Sequence, residues 1–457
     1  MVHAGLWFAL HSFLVMVLGR PWFALAIGLA LITLIVQVSN AKFHALREPF
    51  VFQDFEYFTD AIRHPRLYIP FLGWWKFALI TFAVAAALFI GLILEDASPD
   101  RFRLTGQLGA VLALSALAGF LLFLSRGGCA PSFDPQEDLE KHGLMGSLWF
   151  YRRGESRPLV LPEGLLGTLP IAQVLPDIVV IQSESFFDPR LLFPDIRPET
   201  LCTFDLMKSE ALHHGPLKVP AWGANTVRSE FAFLSGARAE LLGVHRFNPY
   251  RGLLSARVLT LASALRAAGY RTVCIHPYPA SFYNRARIYP HLGFDEFIDI
   301  RAFAGAKRFG PYVADTELAL RVKDILGASK KPLFVFVITM ENHGPLHLES
   351  PKSGDADKFY AVPPPSGCED LTVYLRHLCN ADSMMADLRA TLKAHPRPAR
   401  LCWYGDHVPI MTKVYDCLAY PEGLTEYFVW SNESMRGCKP QTIPLDRLPG
   451  MLLRTIV

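Results

Sequence analysis

The chain has 457 residues, 51% of them hydrophobic, and a formal net charge of +3. That length allows two folding units, and so small a positive charge makes no case for nucleic-acid binding. A mean hydropathy of +0.24 is high for a soluble enzyme.

The apolar excess sits in residues 1–125, in four runs at about 4–19, 22–38, 70–94 and 105–124. A bilayer span needs about 20 apolar residues. The last two runs reach that length. The first two are shorter and are separated by Gly19-Arg20-Pro21, which reads as a tight helical hairpin. Residues 1–20 lack a basic n-region and a small-x-small cleavage site, so spanning helices are expected here rather than a signal peptide. Four spans are expected, with three as the fallback. Between the second and third runs stand Lys42, Arg47, Arg63 and Arg66, against Arg101 and Arg103 after the third. The positive-inside rule then leans towards a cytoplasmic 41–69 segment and, two spans later, a cytoplasmic C-terminal domain. Residues 41–69 also interleave Phe50, Phe52, Phe55, Tyr57 and Phe58 with charges. They read either as an interfacial helix turning at His64-Pro65 or as an ordinary linker.

Residues 126–172 form a connector with scattered Gly and Pro, and 173–457 a second domain. From Pro176 short β-rich runs alternate with helical patterns. Strands are expected at 177–182, 271–275, 332–339 and 399–404, and helices at 258–269, 314–326 and 370–395. Val362-Pro-Pro-Pro-Ser366 is a loop. Continuous apolar strands separated by helices predict a mostly parallel sheet covered on both faces, with ligands held at the carboxyl ends of the strands. The expected architecture is thus an N-terminal transmembrane helical unit followed by an α/β domain. Of eight cysteines, none forms a C-x-x-C pair, which makes a zinc ribbon unlikely. Cys274 and Cys402 fall in apolar strands as core residues. Cys368, Cys379, Cys417 and Cys438 lie in or near polar, loop-like sequence, and in an oxidising compartment they could form one or two disulfides.

The chemistry-bearing residues fall at the ends of the expected strands. Glu184, in Ser183-Glu-Ser185, follows one strand, and Asp406-His407 follow another. Carboxylates there are natural hard-metal ligands, and imidazole broadens the choice towards Mn²⁺ or Zn²⁺. The plain alternative is that Gly405-Asp-His407 is only a polar turn. Thr226, in Gly223-Ala-Asn-Thr226, offers a hydroxyl that metal coordination could turn into a nucleophile. It also reads as the N-cap of a helix starting near 227, with Glu230 nearby. Both readings can hold, because a helix N-terminus favours an anionic phosphate.

Taken together, these motifs resemble the lipoteichoic acid synthase and phosphoglycerol transferase family of the alkaline phosphatase and sulfatase superfamily, over roughly 176–435. Glu184 matches the family's first metal carboxylate, Asn225-Thr226 its catalytic threonine turn, and Tyr404-Gly-Asp-His407 its paired metal ligands. The resemblance implies a sulfatase-like α/β domain with one divalent metal, Mn²⁺ in first place with Mg²⁺ or Zn²⁺ as alternatives, held by Glu184, Thr226, Asp406 and His407. His276-Pro-Tyr-Pro-Ala-Ser-Phe-Tyr-Asn-Arg285 is similar to the family's glycerol-phosphate pocket, which places His276, Tyr283 and Arg285 on the substrate head group; Tyr283 stands where the lipoteichoic acid enzymes commonly carry Trp. By residue chemistry alone, Arg285 could be a surface salt bridge and His276 a polar strand end. His343, in Thr339-Met-Glu-Asn-His-Gly-Pro345, matches the histidine beside the transferred phosphate, with His347 a weaker stand-in. The resemblance further implies a phosphatidylglycerol-type lipid donor, a glycan or polyglycerolphosphate acceptor, a multi-pass anchor in the cytoplasmic membrane and a catalytic domain on its outer face, against the lean of the charges. Rival readings are a phosphoethanolamine transferase, a phosphatase or phosphodiesterase, and a non-enzymatic membrane scaffold. A formylglycine sulfatase is disfavoured, because Cys129-Ala-Pro and Cys438-Lys-Pro lack the arginine of C-x-P-x-R and neither stands at the nucleophile position.

Overall fold

Gly19-Arg20-Pro21 makes the expected hairpin. Helix α1 (Val2–Leu18) is capped by Gly19 in the left-handed conformation, Arg20 is extended, and Pro21 opens α2 (Pro21–Leu46). Left-handed Gly at the C-cap and Pro at the first helical position are the residues these two sites favour. The computed structural model describes residues 1–55, 74–95, 101–125, 130–167, 174–253, 256, 258–433 and 438–456. It divides into two units, Met1–Arg157 and Pro158–Val457.

The first unit continues with α3 (Trp74–Leu94), α4 (Arg101–Leu124) and α5 (Pro135–Gly154). Among the described residues, α2 is the one helix long and apolar enough to cross a bilayer, at a mean hydropathy of 2.2. Helix α1 has 17 residues, and the described apolar stretches of α3 and α4 are Val84–Leu94 and Leu108–Leu124. On length and composition the four expected spans thus reduce to one candidate. The turn expected at His64-Pro65 lies outside the described residues. Helix α5 falls within the segment read as a connector. Asp134 caps it by accepting from the Gln136 and Glu137 amides, Pro135 fills its first position, and Arg152 and Arg153 stand in its last turn.

The second unit is built on an eight-stranded sheet. Its strands are β1 (Asp177–Ser183), β2 (His213–Lys218), β3 (Arg271–Ile275), β4 (Glu296–Ile298), β7 (Leu333–Ile338), β8 (Ala399–Gly405), β9 (Leu424–Ser431) and β10 (Ile443–Pro444), in the order β10-β2-β9-β8-β1-β7-β3-β4. A two-residue hairpin, β5 (Arg308–Phe309) and β6 (Tyr312–Val313), stands apart. The run β8-β1-β7-β3-β4 is parallel, and β9 is antiparallel to both of its neighbours.

Every residue of β1, β7 and β8 is buried, the mark of strands covered on both faces. Successive side chains go to opposite sides. Val179, Ile181, Val335, Val337, Leu401 and Trp403 join one core with α6 (Cys202–Glu210), α10 (Asp315–Ala328) and α11 (Glu369–Lys393). Ile178, Val180, Phe334, Phe336, Cys402 and Tyr404 join the other with α7 (Thr226–Ser235), α8 (Leu261–Ala267) and α9 (Arg285–Leu292). Cys274 and Cys402 are buried core thiols, and all seven described cysteines are free.

Candidate active site

Register creates the site. Ser183 pairs with Gly405 across the parallel strands β1 and β8. The next residues, Glu184 and Asp406, therefore leave the sheet side by side. On the other flank Gln182 pairs with Ile338 of β7, and Ile275 of β3 with Val337. Four neighbouring strands thus deliver Asp406-His407, Glu184-Ser185, the loop carrying His343, and His276 to one edge. The turn after β8 requires glycine: a Cβ on Gly405 would lie 1.9 Å from the Phe186 carbonyl oxygen.

Glu184, Asp406 and His407, all buried, each offer an atom within 4.8 Å of the others. His407 Nδ1 lies 3.1 Å from the Val408 carbonyl. A carbonyl only accepts, so Nδ1 carries the proton and Nε2 is left with its lone pair. That nitrogen faces Glu184 Oε1 at 3.5 Å and Asp406 Oδ2 at 3.4 Å. Asp406 Oδ2 is buried with no hydrogen-bond partner. Burial, and then the Asp406 charge, push the Glu184 carboxyl up to about 8. Three electron-rich atoms facing one another in a buried site are stable only around a cation. Two carboxylate oxygens and an imidazole nitrogen are the donors that a Mn²⁺, Mg²⁺ or Zn²⁺ ion takes, so the residues fit a divalent metal.

Hydrogen bonds that the sequence does not reveal hold these side chains in place. The Ser185 amide donates to Asp406 Oδ1 at 2.8 Å, and its hydroxyl to Glu184 Oε1 at 3.0 Å. Ser185 adopts φ 52°, uncommon for a residue with a Cβ. It is fixed there by those bonds and by Tyr374, whose hydroxyl donates to the Ser185 carbonyl at 2.7 Å. The Glu184 amide donates to Thr339 Oγ1 at 2.9 Å.

Thr226 is the first residue of α7, not its N-cap. The cap is Asn225, at φ 68° with no side-chain capping bond. The first turn of α7 is tied to both carboxylate-bearing strand ends. Ser229 donates to the Asp406 carbonyl at 2.6 Å, and Gln182 Nε2 to the Thr226 carbonyl at 3.4 Å, while Tyr404 holds the other end of the Gln182 amide.

Glu230 takes no part in a capping box either. It is fully buried and accepts from Arg285 Nη2 at 2.8 Å, and the hydroxyls of Tyr250 and Tyr289 donate to its other oxygen. Arg285 is therefore no surface salt bridge: it is 1% exposed, and its Nη1 has no partner. Tyr283 is half-buried at φ 52°, its ring centroid 5.2 Å from the Arg285 guanidinium. His276, fully buried, donates from Nδ1 to the Ile338 carbonyl at 3.1 Å and leaves Nε2 unpartnered. Burial and the Arg285 charge hold this imidazole neutral, well below its ordinary pKa. Half-buried His343 has Nδ1 2.7 Å from the Gly344 carbonyl, with the Tyr312 hydroxyl at 3.4 Å. Burial lowers its pKa as well. His347 is exposed. One signal for Glu230 was present in the sequence: it lies one helical turn beyond Thr226, on the same face of α7.

Comparison with known proteins adds four findings. The Sulfatase family model matches residues 176–444. A capsular polysaccharide biosynthesis protein, RkpI of Rhizobium meliloti, is 28% identical over 438 residues, which is 90% of this chain and 77% of that protein. A putative cyclic beta-1,2-glucan modification protein of the same organism is 28% identical over 251 residues, 55% of this chain and 38% of that protein. Among solved structures, the Streptococcus pyogenes phosphoglycerol transferase GacH, in complex with sn-glycerol-1-phosphate, superposes with a TM-score of 0.50 at 20% identity. The match covers 71% of this chain and 83% of GacH.

Proposed function

The chain belongs to the sulfatase family, and from that premise we propose that it is a membrane-anchored, metal-dependent phosphoglycerol transferase. In this reading it moves glycerol phosphate from a phosphatidylglycerol-type lipid to an envelope glycan or glycerophosphate polymer. The observation that carries this reading is the junction of a cation-demanding set, Glu184, Asp406 and His407, with a threonine on a helix whose first turn is bonded to the same strand ends. A hydroxyl in the nucleophile position, with no formylglycine motif, turns the sulfatase fold towards phosphoryl transfer.

A divalent ion held by Glu184, Asp406, His407 and Thr226, with Mn²⁺ the first choice, would supply the positive charge that makes the Thr226 hydroxyl acidic. Thr226 Oγ bonds to phosphorus as the bond to the diacylglycerol oxygen breaks, leaving a phosphothreonine ester. An acceptor hydroxyl then displaces Thr226. With the His343 Nδ1 proton committed to the Gly344 carbonyl, its Nε2 lone pair takes the proton released by the Thr226 hydroxyl and delivers it to the leaving diacylglycerol oxygen. The unpartnered Arg285 Nη1 meets phosphate charge, and this positive group is itself buried and fixed in place. The neutral His276 Nε2 accepts from a glycerol hydroxyl, and Tyr283 packs on the glycerol.

The same pocket favours glycerol over ethanolamine. An ammonium head group needs a carboxylate, and Glu230, the one bonded to Arg285, is already saturated by Arg285 and two tyrosines. The names of the relatives, which concern capsular polysaccharide and cyclic glucan, support a glycan acceptor. The glycerol phosphate bound to GacH supports the head group. A membrane anchor confines enzyme and lipid to one surface, with the second unit on the outer face of the cytoplasmic membrane.

Thr226→Ala should abolish release of diacylglycerol from phosphatidylglycerol vesicles by the full chain; release at the wild-type rate would remove Thr226 as nucleophile. A reporter fused after Val457 that is active only in the cytoplasm would overturn the placement. Mass spectrometry of envelope glycans with and without the gene identifies the acceptor.

A further inference from the structure

One buried titratable side chain has no part in the chemistry above. His377 lies in the middle of α11 and is 2% exposed. Its Nδ1 stands 3.0 Å from Glu341 Oε1 and its Nε2 3.0 Å from Glu349 Oε1. Ionised carboxylates only accept, so a ring bonded to one at each nitrogen donates from both and is an imidazolium. Burial alone would lower its pKa; hydrogen bonds to Glu341 and Glu349 outweigh that and bring it up to about 9.

The two carboxylates bracket His343. Glu341 and Glu349 stand at the two ends of the segment after β7 that carries it. Its one regular element is a short turn of 3₁₀ helix at Leu346–Leu348, so the sheet does not hold this segment. Helix α11 does. Glu341 also accepts from Asn380, a turn further along that helix, and from the Asp315 amide at 2.8 Å. Arg376, beside His377, donates to the Ser350 carbonyl at 2.9 Å, to Asp355 at 2.7 Å and to Glu349 at 3.5 Å. Asp315, at the start of α10, is the remaining acid facing this cluster. Burial and the Glu341 charge push its carboxyl well up, and neither of its oxygens has a hydrogen-bond partner.

We propose that His377 is a positioning residue, whose charged ring clamps both ends of the 341–349 segment to α11 and so fixes where His343 Nε2 stands at the transferred phosphate. The clamp is a matter of geometry; its catalytic consequence rests on the phosphoglycerol transferase reading.

The two parts are tested separately on the full chain in detergent, with His377→Ala and, should that variant fold poorly, His377→Gln. Hydrogen exchange reads the clamp. Amides of 341–349 should exchange about tenfold faster or more, while those of β1, β7 and β8 keep their protection. Diacylglycerol release reads the consequence. The kcat should fall about 10- to 100-fold with KM within about twofold, the cost of a misplaced group rather than lost binding. The wild-type rate should also fall as pH rises through about 9, a limb absent from the variants. Unchanged exchange in 341–349 in a folded variant overturns the clamp, and faster exchange with unchanged kcat overturns the positioning role. A wild-type chain that releases no diacylglycerol overturns the transferase reading alone, and exchange still decides the clamp.

Discussion

Glu230→Met should be among the most damaging single substitutions in the second unit, although Glu230 is not placed on the substrate. The carboxylate is fully buried and holds Arg285 Nη2 at 2.8 Å. Its other oxygen takes both the Tyr250 and Tyr289 hydroxyls. Removing it leaves a guanidinium in the core without a counter-charge, about 3–5 kcal/mol for a broken buried pair. It also strands two phenol donors at about 1 kcal/mol or more each. A loss of at least about 5 kcal/mol follows, against about 0–1 for an exposed pair. Arg285→Met leaves the carboxylate its two tyrosine donors and should cost about 3 kcal/mol. The double variant Glu230→Met/Arg285→Met removes both charges together and should cost about the same 3, because an apolar pair can replace a buried ionic one. The coupling energy is then about 5 kcal/mol. Urea unfolding of the full chain in detergent, followed by near-ultraviolet circular dichroism, gives all four corners of the cycle. Single-variant losses that add to within about 0.5 kcal/mol would refute the reasoning.

Other consequences can be measured directly. Gly405→Ala puts a methyl 1.9 Å from the Phe186 carbonyl and should cost about 3 kcal/mol or more; a thermal melt at the wild-type temperature would show that the turn yields. Metal binding requires an ionised Glu184, whose carboxyl sits at about 8 in the metal-free protein. Affinity for Mn²⁺ by calorimetry should therefore climb about tenfold per pH unit below that value and level off above it; a flat profile from pH 6 to 8 would count against Glu184 as a ligand. His377 is raised from 6.5 to about 9 on folding. Its stabilising contribution, about 3 kcal/mol, is complete below the unfolded value and disappears as pH rises through the folded one. His377→Gln should flatten that decline in urea midpoints between pH 7 and 10.

The parallel half of the sheet was legible because β1, β7 and β8 are unbroken apolar runs with helices between them. The other half was not. Strand β2 (His213–Lys218) contains Gly215 and Pro216 and is only partly buried, so nothing in its composition separates it from a loop until β9 pairs with it. Glu184 and Asp406-His407 could be found because a strand end is a local signal. The start of α7 was misplaced by one residue because Asn225 adopts a left-handed conformation that no intrinsic preference of Ala-Asn-Thr demands. Glu230 was read as a capping residue when its partner, Arg285, lies 55 positions away. His377, one polar residue inside an apolar helical pattern, gave no sign that it meets carboxylates on two sides. Helix α5 carried a full set of end signals, Asp134, Pro135, Arg152 and Arg153, and was overlooked among the scattered glycines around it.

The pairing of Ser183 with Gly405 has a consequence for biosynthesis. The bond from the Ser185 amide to Asp406 spans 221 positions of sequence, and both carboxylates reach the metal set only after β8 has docked beside β1. Contacts so remote form slowly and late, after the local helices and hairpins. A growing chain that has released β1, Thr226 and Arg285 still lacks Asp406 and His407. Nascent and half-folded copies therefore lack the assembled Glu184, Asp406 and His407 cluster, and under the proposed function they would leave the lipid around an emerging chain uncleaved until the chain is whole.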